Sequence, residues 1–101
     1  MIAETYARPI RLTASGVAIA RATSLLGFSV RPGASDIVIK LHNGQSDGEE
    51  VLWEIEADNG GGSHSEHFTL PIPFTKGIYV EFTTGEGDHV VNLLVLEPLS
   101  S

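Results

Sequence analysis

Leu70-Pro71-Ile72-Pro73-Phe74-Thr75-Lys76-Gly77-Ile78-Tyr79-Val80-Glu81-Phe82 decides the fold. Pro71 and Pro73 carry no backbone donor and hold φ near about −65°, so the segment belongs at a strand end, an edge or a bulge, never in mid-sheet. Gly77 permits a tight corner. Beyond it Ile78, Val80 and Phe82 alternate with Tyr79, Glu81 and Thr83, the period of two that marks a half-buried strand. Strands on either side must pair with this one, and its register helps to set theirs.

Working outward, Asp36 to His42 sets Ile37, Ile39 and Leu41 against Val38, Lys40 and His42, and Val51 to Ala57 sets Val51, Trp53, Ile55 and Ala57 against Leu52, Glu54 and Glu56. Both read as half-buried strands, with Trp53 pointing inward. Between them Asn43-Gly44 and Ser46-Asp47-Gly48 are two adjacent turn signals, which predicts a loop of several residues rather than a two-residue hairpin. Gly16 to Ala20 reads as a first strand. Leu25 to Arg31 alternates Leu26, Phe28 and Val30 with Gly27, Ser29 and Arg31, then stops at the Pro32-Gly33 turn. After the flexible connector Asp58 to Ser63, His64 to Leu70 aligns Phe68 with Leu70. His89 to Leu96 is apolar on both faces, so it is either a central strand or one whose second face is covered by another subunit. Residues 1–12, with Tyr6 and Pro9 among charges and no sustained period, read as an extended N-terminal arm. The domain is then 13–98, with a tail at 99–101. Seven to eight short strands with no long 3.6-residue period predict an all-β antiparallel sandwich or jelly roll.

The chain has 101 residues, room for one core and little surplus. Without cysteine it has no disulfide framework, thiol nucleophile or cysteine-held zinc. No apolar run approaches the ~20 residues of a membrane span. The start, Met1-Ile2-Ala3-Glu4-Thr5-Tyr6, lacks the basic-then-apolar layout of a signal peptide, and the expectation is a soluble protein kept without Sec export. A net charge of −7 argues against a nucleic-acid partner. Its distribution is uneven. Residues 1–40 hold five basic side chains against two acids, whereas residues 41–101 hold Lys76 against eleven. Either the sandwich interleaves the two halves and leaves a mildly acidic surface, or a basic arm docks on an acidic neighbour.

Motifs for chemistry are sparse. On a strand, His64 and Glu66 share a face while His67 points away, so the two histidines do not chelate together without a bend. Glu54 and Glu56 lie on one outward face and Glu49 and Glu50 in a loop, not opposed across a cleft as paired hydrolytic acids must be. There is no Gly-x-Ser-x-Gly elbow. Gly60-Gly61-Gly62 lacks the lysine and the following helix of a phosphate loop. The arginines have no interleaved aromatics on which bases could stack. Tyr6, Trp53 and Tyr79 are the side chains a lectin would use on sugars. The expectation is a protein without catalytic, cofactor or metal residues.

The succession of Gly16-Val17, the strand to Val30, Ile37-Val38-Ile39-Lys40-Leu41-His42-Asn43-Gly44, Val51-Leu52-Trp53 and Leu70-Pro71-Ile72-Pro73-Phe74-Thr75-Lys76-Gly77-Ile78-Tyr79-Val80 resembles small bacteriophage virion proteins of the jelly-roll or sandwich type. The likeness covers most of residues 16–96 and is most specific from Pro71 to Val80. Asn43 stands where aspartate is commoner, and Ile78 where leucine is. What the resemblance implies is a structural protein of the virion surface, assembled in the host cytoplasm. The foremost role is a capsid decoration (cement) protein on the major capsid protein, built as a homotrimer. Head fibre, tail and connector components are alternatives, and a lectin-like or adhesive module is a rival from another class. On this reading Tyr6, Arg8 and Arg11 lie across the shell protein while Val90, Leu94 and Leu96 of the last strand pack on a second copy. Neither nucleic acid nor membrane is a partner.

Overall fold

The computed structural model describes residues 5–33, 35–58, 62–83 and 89–98. Among them eight strands form, and no helix: β1 (Thr5–Leu12), β2 (Gly16–Ile19), β3 (Thr23–Arg31), β4 (Ile37–Asn43), β5 (Val51–Ala57), β6 (His64–Phe74), β7 (Ile78–Phe82) and β8 (Val90–Pro98). They make two four-stranded antiparallel sheets, ordered β1-β8-β3-β6 and β2-β7-β4-β5. The all-β sandwich expected from the alternation is therefore what the chain forms. β1 pairs with β8, β2 with β7, β3 with β6 and β4 with β5, so the first half of the chain runs back along the second like one long hairpin. Folding that hairpin over brings β8 against β3 and β7 against β4.

Period-two alternation puts one face of each strand inward. Ile37, Ile39 and Leu41 of β4, Ile78, Val80 and Phe82 of β7, and Val91, Leu93 and Val95 of β8 are buried in a single core with Phe28, Val30 and Phe74. Trp53 is half-buried against this core, its ring edge-on to Phe68 at 4.9 Å and 72°. Since β5 and β6 belong to different sheets, that contact bridges the layers.

Prolines lie where a missing donor costs least. β6 is an edge strand, and both Pro71 and Pro73 are in it; Pro9 is in β1, the opposite edge of the same sheet. Within the expected arm, the described residues depart from expectation: Thr5 to Leu12 is an edge strand in register with β8, from Thr5 opposite Pro98 to Leu12 opposite Val91. The reason is that Ile10 and Leu12, two residues apart, pack on the core, while a single proline is tolerated at an edge. Met1 to Glu4, the tail from Leu99 and the connector residues Asn59 to Gly61 lie outside the described residues.

Register shifts change the phase of several strands. Leu25 and Gly27 lie opposite the consecutive residues Val95 and Leu94, so Leu26 is an extra residue in β3 and Leu25, not Leu26, joins Phe28 in the core. On the other side, Leu25 opposes Ile72 and Gly27 opposes His67, which leaves Phe68 to Pro71 as a wide bulge within β6. Leu70, expected in line with Phe68, is 78% exposed for that reason. A further shift between Leu41 and His42 skips Leu52 and turns Val51 outward.

The Thr75-Lys76-Gly77 corner is held by the end of β4. Asn43 accepts from the Lys76 amide at 2.9 Å and donates to the Thr75 hydroxyl at 3.1 Å. The Gly44 amide donates to the Gly77 carbonyl at 3.1 Å. Gly77 has φ +122°, and a Cβ there would stand 2.5 Å from the Ile19 carbonyl oxygen. Only glycine fits a backbone that passes so close with that dihedral.

Candidate interaction surface

The outer faces of the two sheets are chemically unlike. On the β1-β8-β3-β6 face, Ala7, Pro9 and Arg11 of β1 lie opposite Leu96, Leu94 and Asn92 of β8. Leu96, Leu94 and Asn92 in turn lie opposite Ser24, Gly27 and Ser29 of β3, and Val90 opposite Arg31. Pro73, His67 and Ser65 of β6 complete the rows beyond Ser24, Gly27 and Ser29. Period two puts all of these on the side away from the core. The described part of this face bears two arginines and no carboxylate, in a chain with thirteen acids. Serine, glycine and alanine surround the half-buried Leu94 and Leu96. Gly27 is fixed by packing, since a Cβ there would run into the Glu66 carbonyl oxygen.

Two hollows flank the leucines. One, of about 130 Å³, lies among Pro9, Ser29, Ser65, His67, Asn92 and Leu94. The other, of about 420 Å³, is bounded by Ala22, Thr23, Ser24, Pro73, Thr75 and Leu96.

The β2-β7-β4-β5 face is acidic. Lys40 lies opposite Glu54 on one side and Glu81 on the other, and Val38 opposite Glu56. Here too is a side chain the sequence did not single out. His42 is only 3% exposed although it is on the outer side of β4, because the loop to β5 folds over it. Its Nδ1 is 2.8 Å from the Glu49 carbonyl oxygen and its Nε2 2.8 Å from Glu81 Oε1. A carbonyl only accepts, so Nδ1 carries a proton; the second contact then needs a proton either on Nε2 or on the Glu81 carboxyl. Tyr79 stands edge-on to the ring, with centroids 5.9 Å apart. The arrangement clamps the 43–50 loop to the sheet. A second buried histidine, His89, accepts at Nδ1 from the Gly33 amide at 2.9 Å and so ties the turn after β3 to the start of β8.

Of the side chains singled out from sequence, Arg11, Leu94 and Leu96 meet on this face, while Val90, on the same side of β8 opposite Arg31, is buried. Arg8 does not join them. It lies opposite Val95, one step out of phase, at the sheet edge. Tyr6 pairs through its backbone with Glu97, and its side chain lies outside the described residues. Gly27, Arg31 and His67 were missed on this face. Gly27 and Arg31 are legible as the alternates of Phe28 and Val30, a phase that the bulge at Leu26 leaves unchanged, whereas His67 joins them only through the register shift within β6, which the sequence does not mark. His64 and Glu66 lie opposite Val30 and Phe28, and His67 opposite Gly27, so the two histidines take opposite sides of β6. Among the described residues no three His, Asp or Glu side chains gather where they could hold a metal ion. Comparison with protein-family models, curated proteins and solved structures gave no match.

Proposed function

We propose that this chain is a non-enzymatic structural protein of a bacteriophage virion, a capsid decoration protein that binds and stabilises the major capsid protein shell as a homotrimer. The observation that carries the reading is the polarity of the sandwich, one outer face without an acid among its described residues, the other rich in them. A piece that lies on a shell needs one surface to touch protein and another to stay solvated. The jelly-roll assignment is supported by the pairing of first strand with last, second with seventh, third with sixth and fourth with fifth, which is a long hairpin rolled into two sheets. The proline block resembling that of small virion proteins supports the same assignment, and its structural role here is to close a sheet edge and set the Lys76-Gly77 corner.

The site of action on this reading is the virion surface, reached by assembly in the host cytoplasm, with other virion proteins as partners. The test is direct. Antibody against the chain should label gradient-purified particles of the phage that encodes it, on the head, and purified chain should co-sediment with capsids lacking it. Label confined to tails or fibres would move the role to those parts. Particles without label, together with capsids that do not retain the chain, would end the virion reading.

A further inference from the structure

We propose that the outer face of the β1-β8-β3-β6 sheet is the surface that docks, and that its occupant is a flat, acidic patch of the shell protein. The inference rests on the virion reading above and names the surface and the chemistry of the partner. Four observations lead to it. Arg11 and Arg31 are exposed on this face, and neither has a hydrogen-bond or ion-pair partner among the described residues. No described carboxylate shares the face to neutralise them, so they are placed to meet negative charge from outside the chain. Leu94 and Leu96 form an apolar centre, and the hollows on either side of them can each take a partner side chain. Finally, the sheet cannot be extended sideways without meeting Pro9 at one edge or Pro71 and Pro73 at the other, which leaves the face rather than an edge for recognition.

Charge also sets the orientation. With Glu54, Glu56 and Glu81 on the opposite face, an acidic patch attracts the β1-β8-β3-β6 side and repels the other, so the chain lands one way up. Four strands at ~4.8 Å spacing and about seven residues at ~3.3 Å span roughly 19 by 23 Å, below the ~800 Å² per partner of a standard interface. A single copy therefore binds weakly, and several copies held together bind by avidity.

The experiment measures co-sedimentation of the full chain with capsids lacking it, at low and high salt, for wild type, R11E/R31E and E54K/E56K. All four positions are exposed, and unchanged Trp53 emission and melting temperature verify folding. Between about 50 and about 500 mM salt, wild-type binding should fall about tenfold or more as charges are screened. R11E/R31E should lose about tenfold or more at low salt, while E54K/E56K binds as wild type or better. Binding by R11E/R31E at wild-type strength, or an equal loss in E54K/E56K, overturns the surface while leaving the virion reading in place. Self-association of wild type that vanishes in R11E/R31E assigns the face to a second copy and overturns the proposed occupant. Wild type that binds no capsid at either salt overturns the decoration role and this inference with it.

Discussion

Replacing Gly77 by alanine tests the claim that the corner before β7 fixes how the two halves of the chain meet. The cost has two parts. An L-residue at φ +122° is strained by about 1–3 kcal/mol. The new Cβ would also lie 2.5 Å from the Ile19 carbonyl oxygen, where ordinary contact begins at 3.4 Å, so one backbone must retreat by about 0.9 Å. Neither side is a flexible side chain. That retreat disturbs the β2-β7 pairing at Ile19 and Ile78 and the bond from the Gly44 amide to the Gly77 carbonyl, each hydrogen bond contributing about 1 kcal/mol net. The sum, about 3–5 kcal/mol, is a large share of the roughly 5–15 kcal/mol that holds a domain together. At about 2.1 cal/mol/K per residue of unfolding entropy, 1 kcal/mol moves the melting point of a chain this size about 5 °C, so the expected fall is about 15–25 °C. Urea unfolding followed by the fluorescence of Trp53, the only tryptophan, gives the free energy. Gly16→Ala is the control, because a Cβ there meets nothing within 4 Å. A Gly77→Ala protein within about 1 kcal/mol of wild type would refute the close approach of the corner to β2.

Three other perturbations probe separate parts of the argument. Glu81→Gln keeps a partner for His42, since the amide donates to Nε2 while Nδ1–H still reaches the Glu49 carbonyl, and should cost under about 1 kcal/mol; Glu81→Ala leaves that buried nitrogen without its partner and should cost about 1–3 kcal/mol in the same unfolding assay. Asn43→Asp still accepts from the Lys76 amide and can accept from the Thr75 hydroxyl, so its melting point should stay near wild type, whereas Asn43→Ala loses both bonds and about 1–3 kcal/mol. The bulge at Leu26 is tested by calorimetry of a pair of truncations: Leu25→Ala should cost about 2–5 kcal/mol and Leu26→Ala clearly less, an order that strict alternation through β3 would reverse.

Alternation made most of the strands legible. β5 falls where Val51 to Ala57 predicts it, β7 differs by one residue, and the proline-rich β6 is an edge strand because two missing amide protons permit little else. What stayed hidden was phase. A bulge adds a residue without a sequence mark of its own, so Leu25 and Leu26 are equally good candidates for the core until their partners Val95 and Leu94 are known. β1 was hidden for a different reason: its inward positions are Arg8, Ile10 and Leu12, and a charge at the start with a proline in the middle masks the period. The acid-free face needed both pieces of information. Arg11 comes from the strand that looked like an arm, and His67 is placed by a strand whose phase changes midway.

The charge split along the chain takes on a different meaning once the strands are paired. Both sheets mix the halves, since β1 and β3 alternate with β8 and β6, and β2 and β4 with β7 and β5. Pairing alone would have spread the cations evenly over both surfaces. Instead Lys40, on the acidic side, lies between Glu54 and Glu81, while Arg11 and Arg31 share the other side without a described acid. The edges bear on the same point. Pro9 interrupts β1, Pro71, Pro73 and the wide bulge interrupt β6, β2 is only four residues long, and β5 exposes Glu54 and Glu56. Each is a known means of discouraging strand-to-strand addition. With its edges blunted, such a sandwich is left its faces as the surfaces open to a partner, and among the described residues the face bearing Arg11 and Arg31 joins an apolar centre to cations that no acid on it offsets.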